Sequence, residues 1–342
     1  MKKTNKNPNE TLDFIQGCLM GVAIGDALGM PVETMKHEDI MRLNDNRGVV
    51  GFMPPVQKRI WDTENLKAGD TTDDWQLTRV VANSLIRTKG IIDISDCANE
   101  HVRELNSSAF GWGKGSQSAI EAIRDGKRDP VKEQLPPAAP GKGCGNGVIM
   151  KIAPLAIANG LAVNKKNLWS ECKSLGSITH PDIRASIAAY AVAYLMQHIL
   201  SDQKNHVREN GSRTILDMVI KQVISIEYLE CQDTELDCVS IRLKKLRGAT
   251  DSADTLRKTS GCGFTALDSV AFSIGTFLRH PCDFRTGVLE AINAGGDSDT
   301  HASIAGALIG LNCGLSEIPK EWRDFSPLFQ EAIEIGTTLN EL

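Results

Sequence analysis

Residues 295–310 read GGDSDTHASIAGALIG: two glycines, two carboxylates and a threonine hydroxyl leading into a run of small residues. Past the acidic positions, Ile304, Leu308 and Leu311 recur at the spacing of one helical face. Ala302, Ala305, Gly306 and Ala307 fill the positions between them. Glycine costs roughly 1 kcal/mol in a helix interior relative to alanine, so a helix that retains it is one whose backbone another element must approach closely. Gly21, Ala23, Gly25 and Ala27 form a similar small-residue stretch near the N-terminus. Together the two predict a dense centre of closely packed helices.

The helical period continues elsewhere. Ile15, Cys18, Leu19 and Val22 make one apolar stripe, Leu77, Val80, Val81, Ser84 and Leu85 a second, and Ile187, Tyr190, Ala191, Tyr194 and Leu195 a third. Val270, Ile274 and Phe277 make another. Strand alternation hardly appears, and aromatic residues amount to 5%. The expected fold class is all-α, a compact many-helix domain with helices of about ten to eighteen residues. Three loops interrupt it. Residues 44–68 are polar and contain Pro54-Pro55; residues 134–147, QLPPAAPGKGCGNG, are too rich in Pro and Gly to be regular; residues 198–260 are more charged than their surroundings. The last holds one amphipathic helix (Ile215, Met218, Val219, Val223, Ile226) and reads as a peripheral elaboration. One domain over 13–342, preceded by a polar tail at 1–12, is the organisation expected of these 342 residues.

Composition narrows the function classes. The chain is 41% apolar and 24% charged with a net charge of −5, and its Lys and Arg residues are scattered, so nucleic acid is not an expected partner. Nine cysteines without a C-x-x-C pair, and seven histidines without H-E-x-x-H, speak against a disulfide scaffold or a structural zinc site. A reducing compartment follows. Lys2 and Lys3 before the apolar stretch 14–25 imitate a signal peptide, but the polar run 4–11 intervenes and Pro31 and Glu33 stand where cleavage needs small residues. No stretch is counted as reaching the roughly 18 apolar residues of a membrane span. The expectation is a cytoplasmic protein with no membrane partner.

Two acidic clusters invite chemistry. Asp70-Thr71-Thr72-Asp73-Asp74 precedes one helix, and Asp297-Ser298-Asp299-Thr300 precedes another. Either can be read as helix capping. Yet one capping residue suffices, and crowded carboxylates repel one another unless a cation compensates. An EF-hand fails, because its sixth and twelfth positions counted from Asp297 are Ala302 and Leu308, and the twelfth from Asp70 is Val81. Carboxylates with hydroxyls suit hard cations such as Mg²⁺ or Mn²⁺. Four carboxylates can hold two such ions about 3.5–4 Å apart. Spacing alone leaves metal binding and paired helix caps both open.

With their flanks, these clusters make the chain resemble the ADP-ribosylglycohydrolase family. The likeness rests on GCLMGVAIGDALGMPVE (17–33), TTDDWQLT (71–78), GCGNGVIMKIAPLA (143–156), ITHPDIRA (178–185) and GGDSDTHASIAGALIG (295–310), with IPKEW (318–322) after them. The resemblance implies an all-α fold around a central binuclear site holding two Mg²⁺, with Mn²⁺ as a substitute. It implies Thr72, Asp73, Asp74, Asp297, Asp299 and Thr300 as metal ligands. Glu33 would by itself read as a solvated carboxylate at a helix end; the resemblance matches it to a gating or catalytic glutamate. Catalytic roles are expected of Glu33, Asp74 and Asp297. Gly145, Asn146 and Gly147 resemble a cradle for ADP-ribose, and glycine amides there can approach phosphates. No dinucleotide fingerprint or P-loop is present. His180 can open a helix before Pro181 and can also face the ligand, and Phe264 stands near where many members place a tyrosine against the nucleotide.

Three positions depart from the family pattern. Trp75 stands where a small hydroxyl residue is common and His301 where an aliphatic or small one is usual, so both are expected to reshape the pocket; Ser298 replaces a threonine but should point away from the ligands. The implied activity is metal-dependent removal of ADP-ribose from modified protein side chains, arginine foremost. Alternatives are serine-, nucleotide- or small-molecule-linked ADP-ribose, and an immunity protein that neutralises an ADP-ribosyltransferase toxin by contact. Leaving-group selectivity is expected in loops 44–68 and 105–118.

Overall fold

The small-residue stretches at either end of the chain become its two central helices. In a computed structural model, which describes residues 8–56, 65–108, 110–136, 142–164, 166–201, 211–231 and 238–342, the chain is a succession of helices with no β-strand among the described residues. They run α1 (Pro8–Gly29), α2 (His37–Ile40), α3 (Leu43–Asn46), α4 (Asp73–Arg87), α5 (Ile94–Ser108), α6 (Lys114–Arg124), α7 (Ala153–Leu161), α8 (Leu168–Ser177) and α9 (Ile183–Ser201). After them come α10 (Ser212–Glu230), α11 (Val239–Lys245), α12 (Ala253–Ser260), α13 (Ala266–Arg279), α14 (Phe284–Asn293), α15 (Ser298–Cys313), α16 (Lys320–Arg323) and α17 (Leu328–Asn340). The all-α expectation holds, although α1 at 22 residues and α9 and α10 at 19 exceed the expected lengths and α2, α3 and α16 at four fall short of them.

Helices α1 and α15 run antiparallel with their backbones almost touching. A Cβ placed on Gly21 would lie 2.1 Å from the Gly306 carbonyl oxygen, one on Gly25 2.3 Å from that of Ala302, and one on Gly17 2.4 Å from that of Gly310. The fourth step brings Gly29 against Asp299, whose Cα would be 2.5 Å away. Glycine at every fourth position of α1 thus meets small residues at every fourth position of α15. Ser303 Oγ donates to the Val22 carbonyl (3.0 Å) and Ser298 Oγ to that of Gly29 (2.9 Å), closing the seam with polar contacts. Ser298 therefore points away from the acidic cluster, as its position predicted.

The remaining helices wrap this pair. α17 lies along α1, where Gln16 Nε2 donates to Thr337 Oγ1 at 3.0 Å, so the two ends of the chain meet. The polar tail is shorter than 1–12, because α1 begins at Pro8 and Thr11 is buried; residues 1–7 lie outside the described residues. In the charged segment, 202–210 and 232–237 lie outside them too. The rest is less peripheral than its charge suggests: Val219, Val223, Leu243 and Leu256 are fully buried, and α12 packs on α13. Its charges occupy the outer faces of amphipathic helices and hide the inner ones. In loop 44–68, of which 57–64 lie outside the described residues, α3 is a turn with Asn44 and Asp45 at positive φ.

Counting uninterrupted apolar residues missed two helices. Residues 10–32 and α9 are long and apolar enough to cross a membrane by mean hydropathy (1.4 and 1.2), but 94% and 72% of those windows are buried within the fold. Their apolarity reflects burial on all sides.

Alanine has the better helix propensity by roughly 1 kcal/mol, but overpacking a tight contact costs about 1–3 kcal/mol or more. Gly21→Ala is therefore expected to lower stability in urea melts by about 2 kcal/mol or more, the packing cost outweighing the propensity gain. Gly51, whose Cβ would meet nothing within 4 Å, should tolerate alanine within about 0.5 kcal/mol. Equal melts for the two variants would contradict the close seam.

Candidate functional site

Helices α4 and α15 both begin at the acidic clusters, so the positive ends of two helix dipoles converge with five carboxylates. Neither cluster caps its own helix: Thr72 and Asp297, the N-cap residues, make no side-chain capping bond. The orphan amides of α4 are met from another helix. Asp26, buried in α1, accepts from the Thr72 amide (2.8 Å), the Trp75 amide (3.0 Å) and the Thr72 hydroxyl (2.7 Å). With this cap supplied by Asp26, helix capping does not account for Asp74, whose Oδ1 has no hydrogen-bond partner.

The carboxylates form two groups that share one member. Oxygens of Asp26, Asp74 and Asp299 lie within 4.8 Å of one another, and so do oxygens of Glu33, Asp297 and Asp299. All five side chains are buried. Burial raises Asp26 to about 7, with the charge of Asp299 adding to it, and pushes Asp74 and Asp297 well above the usual carboxylate range. Asp74 Oδ2 accepts from the Thr300 hydroxyl at 3.2 Å, while its Oδ1 is buried without a hydrogen-bond partner. An orphaned carboxylate oxygen among mutually repelling acids fits a divalent cation.

The two groups overlap the expected ligand set in Asp74, Asp297 and Asp299. Asp26, absent from it, joins the first group. Asp73 belongs to neither group and stands partly exposed in the wall of the adjoining cavity. Thr72 is turned to Asp26, and neither it nor Asp74 lines that cavity. Asp26 was missed because a lone acid inside an apolar helix has no local partner; GDALG offered only the oddity of a charge in a small-residue run.

The cavity, about 780 Å³, is bounded by Glu33, Asp297, Asp299 and Thr300 and by the glycine loop. Residues 137–141 of the Pro/Gly-rich stretch lie outside the described residues. The loop is tied to the start of α13: Asn146 N–H donates to the Phe264 carbonyl (3.3 Å) and Ala266 N–H to that of Cys144 (2.9 Å). Asn146 Nδ2 donates to Asp297 Oδ2 at 2.5 Å and to Ser269 Oγ at 2.9 Å, linking loop and acidic cluster. His180 lies against the loop, where a Cβ on Gly147 would come 2.8 Å from its Cε1. Phe264, 49% exposed, also lines the cavity. So do four cations that sequence reading passed over: Lys114, Lys127, Arg128 and Lys142. Loop 105–118 contributes Gly111, Gly113 and Ser116 to the wall, whereas the described residues of loop 44–68 contribute none; residue 109 lies outside the described residues.

A family model described as ADP-ribosylglycohydrolase matches residues 7–335. The chain belongs to the ADP-ribosylglycohydrolase family. It is 26% identical to "ADP-ribosylhydrolase ARH3" of Mus musculus, over 97% of this chain and 92% of that protein. It is likewise 26% identical to "ADP-ribosylarginine hydrolase Tri1" of Pseudomonas putida (strain GB-1), over 98% and 82%. A solved "ADP-ribosylglycohydrolase-related protein complex" shares its fold at a TM-score of 0.70, with 23% identity, covering 97% of this chain and 99% of that one. Membership in this glycohydrolase family supports a hydrolase of ADP-ribose linkages.

For this glycohydrolase, the two flagged departures are not cavity residues. Trp75 is buried in the core with its indole N–H on Glu331 Oε2 (3.3 Å). As the second residue of α4 after the partly exposed Asp73, it is carried round to the inner face. His301 lies behind the site, its Nε2 3.2 Å from Ser269 Oγ and its ring tilted at 38° to that of Phe272, centroids 4.9 Å apart. Its side chain is linked to the Asp297 carboxylate through Ser269 and Asn146, and its main-chain N–H donates to the Asp297 carbonyl (3.1 Å).

An acid whose folded pKa is raised stabilises the fold below its unfolded pKa, and that contribution is lost as pH rises toward the folded value. Asp74 is such a group. Asp74→Asn should therefore be more stable than the parent chain in EDTA at about pH 7.5, with the gap closing toward about pH 4. Mg²⁺ at a hundred times its Kd should stabilise the parent by about 2.7 kcal/mol and the variant less. Thermal melts in EDTA and in Mg²⁺ check both; a variant less stable at neutral pH would contradict the repulsion.

Proposed function

We propose that this chain hydrolyses the bond joining ADP-ribose to a modified protein side chain, arginine foremost, with two Mg²⁺ (Mn²⁺ as substitute) held by the acidic cluster. The observation that carries this is the pair of carboxylate groups sharing Asp299 beside a cavity that also presents a glycine loop and four cations. The first group suggests Asp26, Asp74 and Asp299 around one ion, the second Glu33, Asp297 and Asp299 around another, with Thr72, Asp73 and Thr300 as further oxygen donors. When bound, the ions would orient the ribose hydroxyls and acidify a water.

The chain's own residues divide the remaining work. Amides of Gly145, Asn146 and Gly147, with Lys114, Lys127 and Lys142, suit the diphosphate by backbone donation and charge. Phe264 offers an apolar surface to the nucleotide. Glu33, in the cavity wall within the carboxylate group, would take a proton from the attacking water and return it to the departing side chain. Asp297, steadied by Asn146, and Asp74 beneath it supply negative charge as the anomeric carbon gains positive character. Asp73 and Glu133 also line the cavity, which favours a cationic guanidine leaving group over a neutral serine. The relative named for ADP-ribosylarginine points the same way. Nine free thiols suit a reducing, cytoplasmic setting.

Conjugates linked through arginine, serine and nucleotide, assayed for free ADP-ribose with Mg²⁺ and with EDTA, provide the test. The arginine conjugate should be cleaved fastest and only with Mg²⁺. Glu33→Gln and Asp297→Ala should each lower kcat by about 10²–10⁴-fold. Faster release from serine would reassign the linkage, and no release from any conjugate would end the hydrolase proposal.

A further inference from the structure

Lys151 directly follows the GNGVIM stretch (145–150) of the glycine loop, yet its side chain is fully buried. An ammonium group without water costs several kcal/mol unless its protons find acceptors. Lys151 Nζ has two: His101 Nε2 at 3.0 Å and Thr179 Oγ1 at 3.4 Å. Burial lowers it to about 8, and the charge of Asp73 acts in the other direction. The ammonium form therefore predominates at neutral pH.

The protons in this group can be assigned. His101 Nδ1 lies 2.7 Å from the Cys97 carbonyl, which only accepts, so Nδ1 carries the ring proton and Nε2 offers its lone pair to Lys151. Thr179 Oγ1 accepts from Lys151 and lies 2.9 Å from His180 Nδ1, so its single proton is available to that nitrogen. Burial and the charge of Lys151 push His180 down to about 3, so the ring is neutral. A neutral ring that accepts at Nδ1 carries its proton on Nε2. That nitrogen is turned to the glycine loop, 3.2 Å from where a Cβ on Gly145 or Gly147 would stand.

We propose that Lys151 and Thr179 are positioning residues that lock His180 as its Nε2–H tautomer, so that the ring presents one donor, and no lone pair, to an anionic oxygen of the ligand in the glycine loop. This rests on the ADP-ribose reading for the identity of the ligand but not for the tautomer. The opposite tautomer would aim a lone pair at a phosphate oxygen. The relay also keeps the charge of Lys151 one residue behind the wall, where it orients His180 without forming a fixed ion pair with the ligand.

Long-range ¹H–¹⁵N correlation on the full chain labelled at histidine, without ligand, reads the tautomer directly. His180 should show an unprotonated Nδ1 and a protonated Nε2. Thr179→Val and Lys151→Met should each mix the tautomers and weaken ADP-ribose binding about ten- to a hundredfold by titration calorimetry. Thr179→Ser should restore both, and thermal melts in Mg²⁺ identify any variant that has simply lost its fold. Protonated Nδ1 in the parent chain, or Thr179→Val binding ADP-ribose as tightly as the parent, would overturn the relay. If the parent chain fails to bind ADP-ribose, the ligand reading falls while the spectrum still decides the tautomer.

Discussion

Everything at the site depends on two helices whose backbones meet without side chains between them. The glycines of α1 at 17, 21, 25 and 29 let α15 approach until carbonyls stand where Cβ atoms would be. That approach fixes the N-terminus of α15, and with it Asp297 and Asp299, against the C-terminal end of α1. Asp26 and Glu33 come from the same stretch of chain. A methyl group in the seam would have to displace main chain, and a densely packed interior offers little slack for that. The distance between acids distant in sequence is therefore set by glycines that carry no chemistry.

Close approach also creates the electrostatic problem that defines the site. Five buried carboxylates repel each other, and burial adds a desolvation cost that drives several of them toward the protonated form. Three features oppose it: the dipoles of α4 and α15, the amides and hydroxyl that Asp26 accepts, and the Asn146 amide on Asp297. They do not complete the balance, since Asp74 Oδ1 still lacks a partner. A chain that retains such an arrangement forgoes stability for cation binding.

The cavity combines opposite charges by placing them on different elements. The helix N-termini and α1 supply acids, while the start of α6 at Lys114 and the loop residues 127 and 142 supply lysines. Between them runs a glycine loop pinned to α13 and backed by His180. A ligand with vicinal hydroxyls and a diphosphate, as in ADP-ribose, suits that distribution. Trp75 and His301, conspicuous in sequence, serve the packing behind it.

The fold class was legible because period and residue size are local properties: stripes every three to four residues and small residues at fixed intervals survive in any reading of the chain. The cluster motifs were legible for the same reason, and their joint pattern carried the family. Less visible was anything that depends on one element facing another. Asp26 caps a helix 46 positions away, Asp73 leaves the carboxylate group for the cavity wall, and the charged segment turns an apolar face inward. Sequence by itself determined that the chain is helical, that two of its helices must touch, and which acids stand at helix starts. Only the tertiary structure decided which acids share a cation-sized space, because side-chain direction follows from helix rotation and contact, and neither is written at any single position.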